Sequence, residues 1–302
     1  MTSVSYPDFL VIGPQKCGTT TLYGLIRQHP DVFLPEQKEL HYFASGGRQP
    51  SFTDSAATVL NSTAVWKENE YTALYKSSNA PVKGEICPTY LYADEAAERI
   101  ASVRPDAKII VILRDPIERS FSAYRHMKAR GAETSDSFED ALAKENEYVA
   151  QNWQAMAHYT ATSLYYPQLK QYYDHFPTEQ ILVLDFKDLT TTPVETANKV
   201  LAFVGADPLP EAVGVAQTNK TVVLKSGAMG NLLIKQPYWL RKLRGLFPAT
   251  LRAKAKEWLI SRLPSEDETL TPALRAKLTS IFAEDAARTR KLTGLLFENW
   301  SV

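Results

Sequence analysis

Residues 9–21, F-L-V-I-G-P-Q-K-C-G-T-T-T, constrain the fold of this chain more than any other stretch. Phe9 to Ile12 form a continuous apolar run, the pattern of a parallel strand covered on both faces. Gly13 and Gly18 then bound a short loop that carries Lys16, and Leu22, Leu25 and Ile26 supply the apolar face of a following helix. The first N–H groups of a helix have no partner within it. Together with the helix dipole and the hydroxyls of Thr19, Thr20 and Thr21, they make an anion cradle. The two glycines keep the G-x-x-x-x-G spacing of a phosphate loop. However, Thr19 stands where a nucleoside triphosphatase places lysine, and the loop's lysine lies inside it. The expectation is a site for a phosphate-like group other than the triphosphate of ATP. An ordinary strand-to-helix turn is the plain alternative, and its position on the first strand of the chain argues for the phosphate loop.

Further strand-like runs occur at 82–86, 109–113 and 181–184, with helical patterns near 94–103, 117–130, 138–150, 163–175 and 194–204. Strands alternating with helices predict an α/β fold with a parallel sheet flanked by helices. Residues 45–80 are rich in Ser, Thr and Asn and read as a long excursion over the surface. From about 226 the chain reads as a helical C-terminal region. One helix opens at Thr271-Pro272, with Thr as N-cap and Pro in the first turn, and the run L-T-G-L-L-F-E-N-W follows it. The whole chain, 1–302, reads as a single domain with its α/β core at about 8–225.

The formal net charge of zero offers no global field for nucleic acid. No apolar run approaches the ~18 residues of a membrane span, and no signal-peptide pattern opens the chain. Two cysteines, Cys17 and Cys87, suit a reducing compartment, so the expected location is cytoplasmic. Cys17 lies in the anion loop, but its thiol reads as a small packing group. Residues 235–262 carry eight Lys/Arg against Glu257, interleaved with Tyr238, Trp239, Phe247 and Trp258. Such a segment suits contact with an anionic polymer, a membrane surface or an acidic substrate, or forms a solvated helical face packed through its aromatics.

A second anion site is legible in A-K-I-I-V-I-L-R-D-P-I-E-R-S-F-S-A-Y. A strand ends at Arg114, Asp115 can cap the next helix, Pro116 can open it, and Ser122 lies about two helical turns on. An arginine at a strand's carboxyl end reaches the crevice where open α/β sheets bind ligands. A guanidinium plus a hydroxyl suits one phosphate monoester. For an isolated R-D-P, a structural Arg–Asp pair is the alternative.

The pair of sites resembles the sulfotransferases that use 3′-phosphoadenosine 5′-phosphosulfate. Q-H-P-D-V (28–32), K-E-L-H-Y-F (38–43), G-E-I-C-P-T-Y-L (84–91) and R-S-F-S-A-Y-R-H (119–126) resemble the carbohydrate branch related to heparan sulfate sulfotransferases. The resemblance implies that Lys16, Cys17, Gly18, Thr19, Thr20 and Thr21 bind the 5′-phosphosulfate, with Lys16 also at the bridging oxygen. It implies that Arg114 and Ser122 bind the 3′-phosphate, with adenosine 3′,5′-bisphosphate as product and no metal. Lys225 and Ser226 match a loop that closes over the nucleotide. Glu39 matches the base that takes the acceptor's proton, and His41 is its competitor, because an extended 38–42 would put both on one face. His126 reads as structural. Ile86 departs from the lysine often found there, which weakens the case for a highly sulfated polymer. The implied acceptor is a hydroxyl on a glycan or glycolipid. The alternatives are a phenol or polyketide alcohol, a P-loop kinase, and a non-catalytic anion-binding module.

Overall fold

The computed structural model describes residues 5–210 and 269–302. Five parallel strands form one sheet: β1 (Phe9–Gly13), β2 (Val32–Phe33), β3 (Val82–Ile86), β4 (Lys108–Leu113) and β5 (Ile181–Asp185), in the order β2-β3-β1-β4-β5. Helices α1 (Thr19–Ile26), α2 (Tyr42–Ser45), α3 (Thr58–Thr63), α4 (Glu68–Lys76), α5 (Ala96–Val103) and α6 (Pro116–Ala129) come from the first half of the chain. They are followed by α7 (Phe138–Ala143), α8 (Glu145–Ala150), α9 (Tyr165–His175), α10 (Phe186–Thr191), α11 (Pro193–Phe203) and α12 (Pro272–Thr293).

The continuous apolar runs are explained by burial on both sheet faces. Leu10, Ile12, Ile109, Val111 and Leu113 pack on one face beneath α5 and α9. The alternate residues Phe9, Val11, Ile110 and Ile112 pack on the other against α1 and α11. This is the period-two division of a strand. A third cluster joins Ile117, Tyr124 and Met127 of α6 to Phe138 of α7 and to Leu274, Leu278 and Phe282 of α12.

The predicted caps are present. Asp115 accepts from the N–H groups of Ile117 (2.8 Å) and Glu118 (3.1 Å), and Thr271 Oγ1 accepts from Leu274 N–H at 3.2 Å. Asp185, the last residue of β5, accepts from Lys187 N–H and so caps α10. The predicted helix over 138–150 breaks at Lys144 into α7 and α8. The reading of 45–80 as a surface excursion requires correction, because this stretch contains α3 and α4. Tyr71 and Tyr75, one turn apart on α4, are fully buried against Phe43 and Tyr90. Polar composition hid that apolar face, because the two tyrosines stand in a stretch dominated by polar and charged residues.

Strand order places the functional crevice. β1 is central, and the chain continues to β3 on one side of it and to β4 on the other. The carboxyl ends of these strands open at the topological switch point, where open α/β sheets bind ligands.

Candidate active site

The anion cradle forms at the end of β1. Gly13 has φ +120°, and a Cβ there would lie 2.2 Å from the Pro88 carbonyl oxygen. Gly18 has φ +79°, and a Cβ there would lie 2.7 Å from Leu189 Cδ2. Only glycine fits both the backbone and the space. Gly18 caps α1 without any side-chain hydrogen bond, and no acidic residue lies in the first turn. The Gly18 carbonyl takes the Thr21 N–H at 2.9 Å, so Thr21 has only its hydroxyl to offer a ligand. The earlier donors of the helix N-terminus face the crevice uncapped, which fits a bound anion. Cys17 is fully buried, and burial pushes its thiol up to about 12.

Lys16 adopts a left-handed backbone, φ +71°, and so do Glu39 (+63°) and His41 (+62°). A non-glycine residue held there costs of order 1–3 kcal/mol and persists where the surroundings enforce it, commonly at functional sites. Here the three candidate catalytic residues share this conformation. Because of it, 38–42 is not extended, and the period-two argument for Glu39 and His41 sharing a face does not apply.

Lys38 links the two stretches. Its Nζ donates to Thr19 Oγ1 and Thr20 Oγ1, each at 3.3 Å, and to Glu39 Oε1 at 2.6 Å. Glu39 N–H donates to the Ile86 carbonyl at 3.1 Å, which anchors the segment to the end of β3. The Glu39 side chain is about one-third exposed (34%). Burial opposes its ionisation, but the Lys38 charge and hydrogen bond, with His41 and Arg130, outweigh that and hold the carboxyl below its usual range. His41 is buried instead, with Nδ1 3.0 Å from Thr89 Oγ1. Burial, assisted by Lys38 and opposed by Glu39, lowers its affinity for a proton.

Lys16 Nζ lies 3.4 Å from His126 Nδ1 on α6. Burial lowers the Lys16 ammonium to about 8, with repulsion from Arg114 and Arg130 adding to it. Burial and then Lys16 push His126 down to about 3, so the ring is neutral and accepts from the ammonium. Arg114, at the end of β4, donates from Nη1 to the Lys16 carbonyl at 3.3 Å, and its guanidinium lies 4.9 Å from the centroid of the Phe186 ring. Ser122 is half-buried on α6, one turn before His126 and therefore on the same face.

The structure thus brings together Lys16, Thr19, Thr20, Glu39 and Arg114, with Ser122 along α6. It adds Lys38, His126 and Arg130, to which sequence reasoning gave no role in the chemistry. For His126 the available signal was its spacing of four from Ser122. Lys225, Ser226 and the basic 235–262 segment lie outside the described residues.

A parallel α/β sheet with an uncapped helix N-terminus, an in-loop lysine and a strand-end arginine gathered at its switch point defines the class: an open α/β protein with a cationic crevice at the carboxyl ends of its strands. The chain belongs to the sulfotransferase domain family, whose model matches residues 6–290. It is 29% identical over 223 residues to the bifunctional heparan sulfate N-deacetylase/N-sulfotransferase 4 of Mus musculus, covering 67% of this chain and 22% of that protein. It is 26% identical over 260 residues to carbohydrate sulfotransferase 15 of Mus musculus, covering 68% of this chain and 45% of that protein. The chain therefore spans well under two-thirds of the length of these relatives. The crystal structure of a sulfotransferase from Alicyclobacillus acidocaldarius superposes with a TM-score of 0.75 at 28% identity, covering 99% of this chain and 100% of that one. Among the described residues no helix is long and apolar enough to cross a membrane.

Proposed function

We propose that this chain transfers a sulfonate from 3′-phosphoadenosine 5′-phosphosulfate to a hydroxyl on a carbohydrate, acting as one sulfotransferase domain. The carrying observation is that Lys38 joins the Glu39 carboxylate to Thr19 and Thr20 at the start of α1, directly after the loop that carries Lys16. The acceptor oxygen attacks sulfur in line as the bond from sulfur to the 5′-phosphate oxygen breaks, and the bonding electrons stay on the phosphate. Charge grows on that leaving oxygen, so the Lys16 ammonium stabilises the transition state more than the ground state. Glu39 takes the proton of the attacking hydroxyl. Its partial exposure supports this role over His41, whose buried ring is engaged by Thr89. Arg114 and Ser122 hold the 3′-phosphate, a group ATP lacks.

A carbohydrate acceptor is supported by the names of the relatives, which include a heparan sulfate N-sulfotransferase and a carbohydrate sulfotransferase. The test is transfer of radiolabelled sulfonate from the donor to a panel of oligosaccharides, phenols and alcohols. Label on an oligosaccharide hydroxyl is the expected outcome. Label confined to phenols or polyketide alcohols refutes the acceptor assignment. Retention of the protein by immobilised ATP, with none by immobilised adenosine 3′,5′-bisphosphate, refutes the donor.

A further inference from the structure

The Lys38 ammonium is shared between the two halves of the reaction site. On one side it donates to the hydroxyl oxygens of Thr19 and Thr20, which turns their hydrogens away from Lys38 and leaves them free to donate to an anion at the start of α1. On the other it holds the Glu39 carboxylate at 2.6 Å, within an ion pair whose lysine side chain is only 16% exposed. A carboxylate clamped by an ammonium is a poor base, since a cation within ~4–6 Å lowers a carboxyl pKa by about 1–3 units. An anion seated on the threonine hydroxyls competes with Glu39 for the same ammonium.

Building on the donor assignment above, we propose that Lys38 is a positioning residue that couples donor occupancy to the base. The bound phosphosulfate draws the Lys38 ammonium toward Thr19 and Thr20, and so frees Glu39 to accept the acceptor's proton. Glu39 is faced by Lys38 and His41 from its own segment, by His126 and Arg130 from the end of α6, and by Cys87 after β3. Of these, Lys38 alone hydrogen-bonds both the carboxylate and the threonines of the anion loop. The arrangement holds the base inactive until the 5′-phosphate end of the nucleotide is seated on the threonines.

The coupling is read as proton uptake on ligand binding. Calorimetry with adenosine 3′,5′-bisphosphate at about pH 5, in buffers of different ionisation enthalpy, counts the protons taken up. This lies just above the ordinary glutamate range. The ligand's own phosphates contribute a background that Glu39→Gln, which keeps Lys38, measures directly. Wild type should take up a further fraction of a proton that both Lys38→Met and Glu39→Gln lack, while both still bind the nucleotide. Binding by a variant also shows that it is folded. Equal counts in wild type and Glu39→Gln overturn the coupling while leaving the donor assignment intact. An uptake that persists in Lys38→Met assigns it to another cation and likewise refutes the role of Lys38. Failure of wild type to bind the nucleotide removes the donor assignment and the coupling with it.

Discussion

Lys16 Nζ lies 3.4 Å from His126 Nδ1, across 110 residues of sequence. The contact pairs a cation with a ring that stays neutral beside it, because burial and the lysine itself hold His126 at about 3. The imidazole therefore aims the ammonium without competing as a charge. It sits on the same face of α6 as Ser122, so one helix serves both the proposed 3′-phosphate site and the transferring group.

Lys16→Ala should reduce kcat on the order of a hundred- to a thousandfold, the cost of losing one transition-state charge contact. His126→Ala should cost less, about ten- to a hundredfold, as loss of one hydrogen bond to a charged group. Lys16 is charged below about pH 8 and neutral above it, so kcat/KM for the donor should fall as pH rises through about 8. A bound anion restores the charge, and the fall in kcat should lie at higher pH. A pH profile of Lys16→Arg that still shows the fall near 8 would assign it to another group.

Arg114→Ala and Ser122→Ala should weaken binding of 3′-phosphorylated nucleotides, the arginine change by more. Charge-assisted hydrogen bonds contribute roughly 1.5–3 kcal/mol. Adenosine 5′-phosphosulfate, which has no 3′-phosphate, is the control. An equal loss of affinity for it would mean that Arg114 acts through the loop, where it already donates to the Lys16 carbonyl.

Glu39→Gln should bind adenosine 3′,5′-bisphosphate and lose transfer by about a hundred- to ten-thousandfold, the typical contribution of a general base. His41→Ala should retain more activity, because its ring packs against Thr89 and Cys87. Transfer within a fewfold of wild type by Glu39→Gln, with an inactive His41→Ala, would reverse the assignment.

Glu85 is buried beneath the site and accepts from the hydroxyls of Tyr71 (2.5 Å) and Tyr90 (2.6 Å). Burial raises it from 4.5 to about 7, against the opposing effect of those two bonds. The folded protein therefore keeps this proton after the unfolded chain has released it. Stability should fall as pH rises from about 4.5 to about 7 and level off above, by roughly 3 kcal/mol from this group. Urea unfolding of wild type and Glu85→Gln at pH 5 and pH 8 isolates the effect. An identical pH dependence in the two proteins would show that Glu85 is already ionised in the fold.

Much of the fold was legible because its signals are local. The apolar run at Phe9–Ile12, the cap at Asp115-Pro116 and the Thr271-Pro272 opening of α12 each depend on a few neighbouring residues. The phosphate-loop spacing is equally local, as is the placing of Arg114 at a strand end. The burial of α4 was not legible, because its buried tyrosines, Tyr71 and Tyr75, stand in a stretch dominated by polar and charged residues.

Only the tertiary structure decided which residues act together. Lys38 and Thr20, or Lys16 and His126, are brought into reach by strand order, which no local pattern encodes. In the sequence Glu39 is the favoured base and His41 its competitor, both on one face of an assumed extended segment. Left-handed backbone at both, enforced by contacts with the end of β3, leaves Glu39 partly exposed beside the anion loop and buries His41 against Thr89. Residue chemistry at each position is written in the sequence, but the distances and burial that tune it arise from segments far apart in the chain.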